Sequence, residues 1–418
     1  MPFTGLQLQP AEFFETLLVP QAAGVVVPNE LIPQKEIRKN KLVYGVQLDI
    51  QFHAQVVGVA GNASVLNFEF PLGFIDRVKI DGSSRKFGGF REFLNVNFPT
   101  LVQFLALYPQ IGTNGAFRYP AIFVSQAGAT YVQQIGPNSG TNIQGATGKA
   151  IATNPTAGAA TTHYDVKMEV IIPVVPLGLQ DPSQQALFMI NGPDWEVLNL
   201  HVFNADQSGL FDVKANTTIT FGNVQGTALA GGTAAPSGNP TINIMLIRPN
   251  LGSARNNPNL GQLLLHRTFQ NLTTVLQAAN LTDSLIARMS VQMKYLRNLV
   301  KTGVKPTDTP TNGVGAVING LTDGIITRPK VKKAGVPIRN PINTISYKEY
   351  YAQSQNVSVP FGYILSDFLD HGDANTYFPA DKIKTKDDFT FEGDLTSAAN
   401  QIGEMLEERV LEAVPTSS

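Results

Sequence analysis

The chain has 418 residues, is 43% hydrophobic, and carries 31 Lys plus Arg against 32 Asp plus Glu, a formal net charge of −1. That length exceeds the range in which one core keeps growing, so two domains are expected; the balanced charge leaves no global positive field, so no bulk nucleic-acid binding is expected. Cysteine is absent, which excludes disulfides, thiolate catalysis and cysteine metal sites.

Met1 to Pro20 lacks a basic stretch followed by a long apolar one, and no run of about 18 apolar residues occurs, so neither a secretory signal nor a membrane-spanning helix is expected. Residues 1–30 read as an arm. Within it Pro10 to Val19 predicts a short amphipathic helix, with Phe13, Phe14, Leu17 and Leu18 on one face and Glu12 and Glu15 opposite. Docking on its own protein is the default for that face; a membrane or an adjacent subunit is the alternative.

From Tyr44 the apolar residues Val46, Leu48, Ile50, Phe52, Ala54 and Val56 alternate with Gln47, Asp49, Gln51, His53 and Gln55. Period two is the pattern of a half-buried strand. Shorter strands are expected at Leu66 to Phe70 and at Arg77 to Ile80, the latter ending in an Asp81-Gly82 turn. A helix should follow, with Asn97 as cap, Pro99 near its first turn, and Leu101, Phe104, Leu105 and Leu107 as its apolar face; it reads as a decoration beside a β structure. Alternation returns from Tyr164 to Ile172. Strands are also expected at Leu198 to Phe203, Thr217 to Phe221 and Ile242 to Leu246.

Pro249 to Gly261, rich in Asn, Gly and Pro, reads as a linker. Beyond it, Met289, Val291, Met293 and Tyr295 alternate with polar residues, and strands are expected at Val357 to Leu365 and Phe389 to Leu395. Three segments poor in charge, Gly136 to Thr162, Gln225 to Pro240 and Thr302 to Asn319, should be long surface loops.

Signals for chemistry are weak. Gly313 and Gly315 are followed by Ile318 where a dinucleotide fingerprint needs glycine, and Gly148-Lys149 is followed by Ala150, with Ile143 where a P-loop needs its first glycine. His53, His163, His201, His266 and His371 stand singly and read as solvated imidazoles. Asp370-His371-Gly372-Asp373 could offer a cation ligands within one turn, but reads as an Asx-rich turn. Arg328, Lys330, Lys332, Lys333 and Arg339 lie among prolines rather than aromatics and read as a solvated loop; an anionic partner there would be lipid headgroups, a neighbouring subunit or nucleic acid. No catalytic, cofactor-binding or metal-ligating residue is assigned.

Two stretches carry a family resemblance. In the first half, Val170-Ile171-Ile172-Pro173 leads into Val175-Pro176-Leu177-Gly178, a short connecting segment from Asp181 to Ile190, and a strand from Trp195 to Phe203. Near the end, Phe361-Gly362-Tyr363-Ile364-Leu365-Ser366-Asp367-Phe368 precedes Asp387-Asp388-Phe389-Thr390-Phe391-Glu392-Gly393-Asp394-Leu395 and Ala398-Ala399-Asn400-Gln401-Ile402. The order resembles that of the double jelly-roll major capsid proteins of tailless, often membrane-containing bacteriophages and adenovirus-like viruses. The resemblance implies a mainly β chain of two adjacent eight-stranded jelly-roll barrels with few helices and long surface loops: residues 31–248 and 261–418, joined by 249–260. It also implies a virion shell protein, not an enzyme, forming pseudo-hexagonal homotrimers, with neighbouring capsomers, penton or minor capsid proteins and an internal membrane as possible partners. An extracellular β-sandwich adhesin or carbohydrate-binding protein is the alternative.

One segment sets propensity against the resemblance. Gly403 to Leu411 has strong helix formers at helical apolar spacing, whereas the family implies a closing strand. A strand would place Glu404, Glu408 and Glu412 on the face of Ile402, Leu406 and Val410. Several kcal/mol per buried ion would make that intolerable unless the face meets solvent or cations. The expectation is a strand from near Ala399 to about Glu404.

Overall fold

A computed structural model describes residues 8–17, 31–36, 42–58, 65–67, 69–108, 110–111, 117–118, 120–126, 161–179, 182–205, 209–212, 217–224, 236–249, 261–272, 275–276, 284–289, 294–304, 323–339, 346, 348, 350, 357–360, 362–369, 378–379, 383–385, 388–396 and 401–412. The principal strands up to Pro249 are β1 (Leu8–Leu17), β2 (Leu31–Glu36), β3 (Gly45–Val57), β4 (Ile75–Ser84), β5 (Gly89–Asn97), β6 (Ala121–Gln126), β7 (Thr161–Pro173), β8 (Val197–Asn204), β9 (Thr218–Gly222) and β10 (Thr241–Pro249). After it come β11 (Leu263–Asn271), β12 (Ser284–Arg288), β13 (Lys294–Val304), β14 (Ile326–Lys333), β15 (Val336–Arg339), β16 (Tyr363–Asp367), β17 (Phe389–Leu395) and β18 (Gln401–Glu412). Two helices interrupt the first series: α1 (Phe98–Ala106) and α2 (Pro182–Phe188).

Pairing gives each half the same permutation. In the first, one sheet runs β1-β10-β3-β7 and the other β2-β8-β4-β5, with β6 on the outer edge of β7 and β9 sharing an edge of β3 with β10. In the second, the sheets run β11-β18-β13-β16 and β12-β17-β14-β15. Leaving out the added β6 and β9 and counting eight strands per half, both read first-eighth-third-sixth and second-seventh-fourth-fifth. All these pairs are antiparallel. A parallel pair, β5 with β11, joins the halves: Arg267 pairs with Leu94 and Thr268 with Asn95.

The alternating residues do what their period demands. Val46, Leu48, Ile50, Phe52, Ala54 and Val56 are all buried, facing Val78 and Ile80 of β4 and Leu198, Leu200 and Val202 of β8 in one apolar core. Within it the Phe52 ring stacks on Phe74 at 4.2 Å. In the second half Phe389 stacks on Phe378 at 4.9 Å, linking β17 to a short segment paired with β13. A second cluster, including Tyr44, Ile171, Val175, Phe188, Leu265, Leu296 and Val410, bridges the two halves.

Helix α1 begins where its cap predicts: the Asn97 side chain accepts from the Thr100 amide at 3.1 Å, and Pro99 occupies the first turn. It is no decoration. Every residue from Phe98 to Ala106 is buried, the polar Thr100 and Gln103 included.

Other expectations need correction. Pro10 to Leu17 is not helical, and Leu18 and Val19 lie outside the described residues: β1 pairs with β10, and that ladder outweighs a helical apolar spacing of a few residues. The strand at Arg77 to Ile80 does not turn at Asp81-Gly82 but continues to Ser84, because β8 pairs with both residues. Leu66 to Phe70 keeps only a two-residue pairing of Val65 and Leu66. Of the alternation from Met289 to Tyr295, Met289 follows the end of β12, Tyr295 lies in β13, and residues 290–293 lie outside the described residues. In Val357 to Leu365 only Tyr363 onward is strand, and Thr302 to Val304 belong to β13 rather than to a loop. The C-terminal segment is a strand, longer than expected, lying between β11 and β13 from Gln401 to Glu412. Residues 136–160, 225–235, 250–260 and 305–319, including both glycine motifs, lie outside the described residues, as does Asp370 to Asp373.

Candidate functional site

Register decides which charges meet between the halves. Glu408 of β18 lies opposite Arg267 of β11 on one side and Arg297 of β13 on the other, and Glu404 lies opposite Lys301. Two of the three glutamates that conflicted with an apolar face, Glu404 and Glu408, thus find cations at the same level of neighbouring strands, while Glu412 lies opposite Leu263.

Arg267 is buried, with its Nε donating to Glu408 Oε1 at 2.9 Å. Its terminal nitrogens donate across to the first half, to the carbonyls of Pro173 and, at 2.8 Å, Val175. Arg297 donates through Nη1 to Glu408 Oε2 at 3.1 Å and holds Nε 2.8 Å from Asp367 Oδ2. The guanidinium sits 4.3 Å over the ring of Tyr108, whose hydroxyl donates to the same Asp367 oxygen at 2.5 Å. Gly178, at φ +76°, closes over this group; a Cβ there would stand 3.2 Å from Tyr108 Cδ1. Lys301 Nζ lies 2.6 Å from Glu69 Oε1 and 2.8 Å from Glu404 Oε2, and the Thr100 hydroxyl donates to Glu404 Oε2 at 2.6 Å.

Proton affinities follow the geometry. Burial alone would loosen the proton of Arg297, but Asp367, Tyr108 and Glu408 outweigh it and raise its pKa. Lys301 is raised likewise, Glu404 and Glu69 overcoming burial. Burial would raise Glu404, yet the charge and hydrogen bond of Lys301 hold it below the usual range. For Glu69 burial wins, and its pKa is raised despite Lys301. Arg267 is lowered by burial, which Glu408 only partly offsets. Such a network is costly to leave half-made, because any partner removed strands a buried charge. It is a fastening between Glu69, Thr100, Tyr108 and the carbonyls after β7 on one side, and β11, β13, β16 and β18 on the other.

The described histidines are not the solvated imidazoles expected. His53 and His163 are both buried; His53 Nδ1 lies 2.7 Å from Asp165 Oδ1 and its Nε2 lies 3.0 Å from His163 Nδ1. Period two gives the face of a side chain but not its depth, and the β3–β7 ladder brings in partners from more than a hundred residues away. His201 Nε2 lies 3.1 Å from Asp81 Oδ2. Burial would raise Asp81, but hydrogen bonds from Lys79 and Asn199 and the charge of His201 hold it low. His266 is buried, and His371 lies outside the described residues.

The basic cluster is not a solvated loop either. It lies on β14 and β15, where Arg328 meets Asp394 and Lys332 lies 2.7 Å from Glu392. Lys330 reaches Glu392 at 4.0 Å, Lys333 lies 5.5 Å from the Phe378 ring, and Arg339 donates to the Asp367 carbonyl at 3.2 Å. The acids of β17 could not be placed opposite these cations without the register. Among the described residues no group of three His, Asp or Glu could hold a metal, and no helix is long and apolar enough to cross a membrane.

No protein-family model and no curated protein sequence matches the chain. Solved structures do. The Faustovirus major capsid protein superposes with a TM-score of 0.52 at 10% identity, over 100% of this chain and 92% of its own. VP54 of PBCV-1, in a structure fitted into a reconstruction of the virophage Sputnik, gives 0.50 at 11% identity over 98% and 94%. The fold is that of the double jelly-roll major capsid proteins. Each jelly roll here is one set of eight strands with the shared permutation, as two packed Greek-key sheets require. In this double jelly roll the ionic network is the seam between the two barrels.

Proposed function

We propose that the chain is the major capsid protein of a tailless icosahedral virus, a structural component of the virion that works by assembly rather than by catalysis. The observation that carries this is the strand permutation repeated in both halves, together with its match over nearly the full length to the Faustovirus major capsid protein. The domain division proposed is 31–248 and 261–418, with β1 of the N-terminal segment adding to the first barrel. Two barrels per chain let three chains present six similar units, so the assembly proposed is a homotrimer of pseudo-hexagonal outline. Its partners would be neighbouring capsomers, penton or minor capsid proteins and an internal membrane.

The seam supports this reading physically. A pseudo-hexagon closes only if both barrels of every chain keep one relative orientation, and a continuous sheet together with the contacts of Arg267 to the Pro173 and Val175 carbonyls, Tyr108 to Asp367 and Glu69 to Lys301 supports one such orientation. The structural neighbours do not favour an extracellular adhesin. Size-exclusion chromatography with light scattering tests the proposal: a stable species of three times the 45.1 kDa chain mass is expected, and a monomer at all concentrations would overturn it.

A further inference from the structure

Strands β11 and β18 show opposite electrostatic states on their two faces. On the seam face the described charges Arg267, Glu404 and Glu408 are paired. On the other, His266 of β11 lies opposite Arg409 of β18, and Arg91 of β5 stands three residues before Leu94, which pairs with Arg267 next to His266. His266 is only 8% exposed, and its Nε2 has no hydrogen-bond partner among the described residues. Nε of Arg91 and Nε of Arg409 are likewise buried without partners.

The remaining contacts of the two arginines are neutral. Arg409 donates to the Thr268 hydroxyl at 2.5 Å and Arg91 to its neighbour's carbonyl, that of Phe90, at 3.0 Å. Of the nearby acids, Glu92 is turned to β4, where it lies 3.7 Å from Lys79 Nζ and accepts from Asn95 Nδ2 at 3.3 Å. Glu407 is buried opposite Thr268 on the same ladder. Burial, then the charges of Arg409 and Arg91, push the His266 pKa down to about 4. Buried donors without acceptors are rare and each is costly, which implies an absent acceptor. Both arginines are half-buried, so that acceptor can arrive from solvent.

We propose that His266, Arg409 and Arg91 form a binding site for one oxyanion, bridging the barrel-joining strands β5, β11 and β18. The occupant is either a free sulfate- or phosphate-class ion or a carboxylate side chain of a second copy of the chain. Planar guanidinium groups suit either oxyanion geometry. An anion at this place would also return the imidazole to its protonated, donating form.

The test uses purified full-length protein and inorganic sulfate against chloride at equal ionic strength, followed by the thermal midpoint. Sulfate keeps its charge between about pH 5 and 8, where only the imidazole would titrate. For a free ion, sulfate raises Tm saturably, binds more tightly as pH falls over that range, and loses affinity at least about tenfold in R409Q, the loss of one charge-assisted hydrogen bond; H266Q binds without the pH dependence. For a neighbour's carboxylate, sulfate has no specific effect on the assembled protein, while R409Q and R409K weaken self-association, R409K less. Sulfate indistinguishable from chloride, together with variants that assemble as the parent does, would overturn the proposal.

Discussion

Replacing Glu408 by leucine is the sharpest perturbation of the seam. The side chain is fully buried and accepts from Arg267 through Oε1 and Arg297 through Oε2. After the change Arg297 keeps Asp367, but Arg267 keeps only two carbonyls for a charge that burial already disfavours. Breaking a buried pair from one side costs about 3–5 kcal/mol. With a urea m-value of about 3 kcal/mol/M, that lowers the unfolding midpoint by roughly 1 to 1.7 M. The single tryptophan, Trp195, reports the transition, since its ring lies 4.7 Å from Phe93 of β5 beside the barrel junction. Because the pair is dry, the loss should be the same in about 1 M salt, where exposed pairs are screened. A midpoint within about 0.3 M of the parent would refute the reasoning, since it would mean a stabilisation below about 1 kcal/mol.

Two further outcomes follow from the same geometry. Glu404 has a folded pKa below its unfolded value, so its contribution is present above the ordinary glutamate pKa of 4.5 and is lost as pH falls through the lower folded one; Glu404→Gln should flatten the acid limb of a stability-against-pH curve, and an unchanged limb would count against the role given to Lys301. Gly178→Ala should destabilise by about 1–2 kcal/mol, from an unfavourable positive φ and crowding against Tyr108, read as a drop in Tm.

The residues that spoke clearly in the sequence were those whose partners did not matter. The alternations of β3 and β7 and the Asn97 cap depend on local chemistry, and they held. What the sequence concealed was pairing. Arg297 and Lys301 are four apart, as are Glu404 and Glu408, so each strand carries a charge stripe on one face; complementary stripes of equal spacing were a readable hint of adjacency. The histidines were misjudged because His53 finds Asp165 and His163 only through the β3–β7 ladder. The N-terminal segment was misjudged for a similar reason, as β10 is more than two hundred residues away from β1. Arg91, His266 and Arg409 gave no sequence signal, since they converge only where β5 meets β11.

The position of β18 bears on how the chain is made. It comes later in the chain than β11 and β13, yet it lies between them and carries acids that pair with both. Until β18 has been made, β11 and β13 therefore each present an open edge, and Arg267, Arg297 and Lys301 lack one of their counter-charges. The second barrel closes only when β18 enters the middle of a sheet whose other strands precede it in the chain. Long-range pairing of this kind is slow and exposes edges able to join other chains. A chain with this topology thus passes through a stage in which its sheet edges are most adhesive just before its fold is complete.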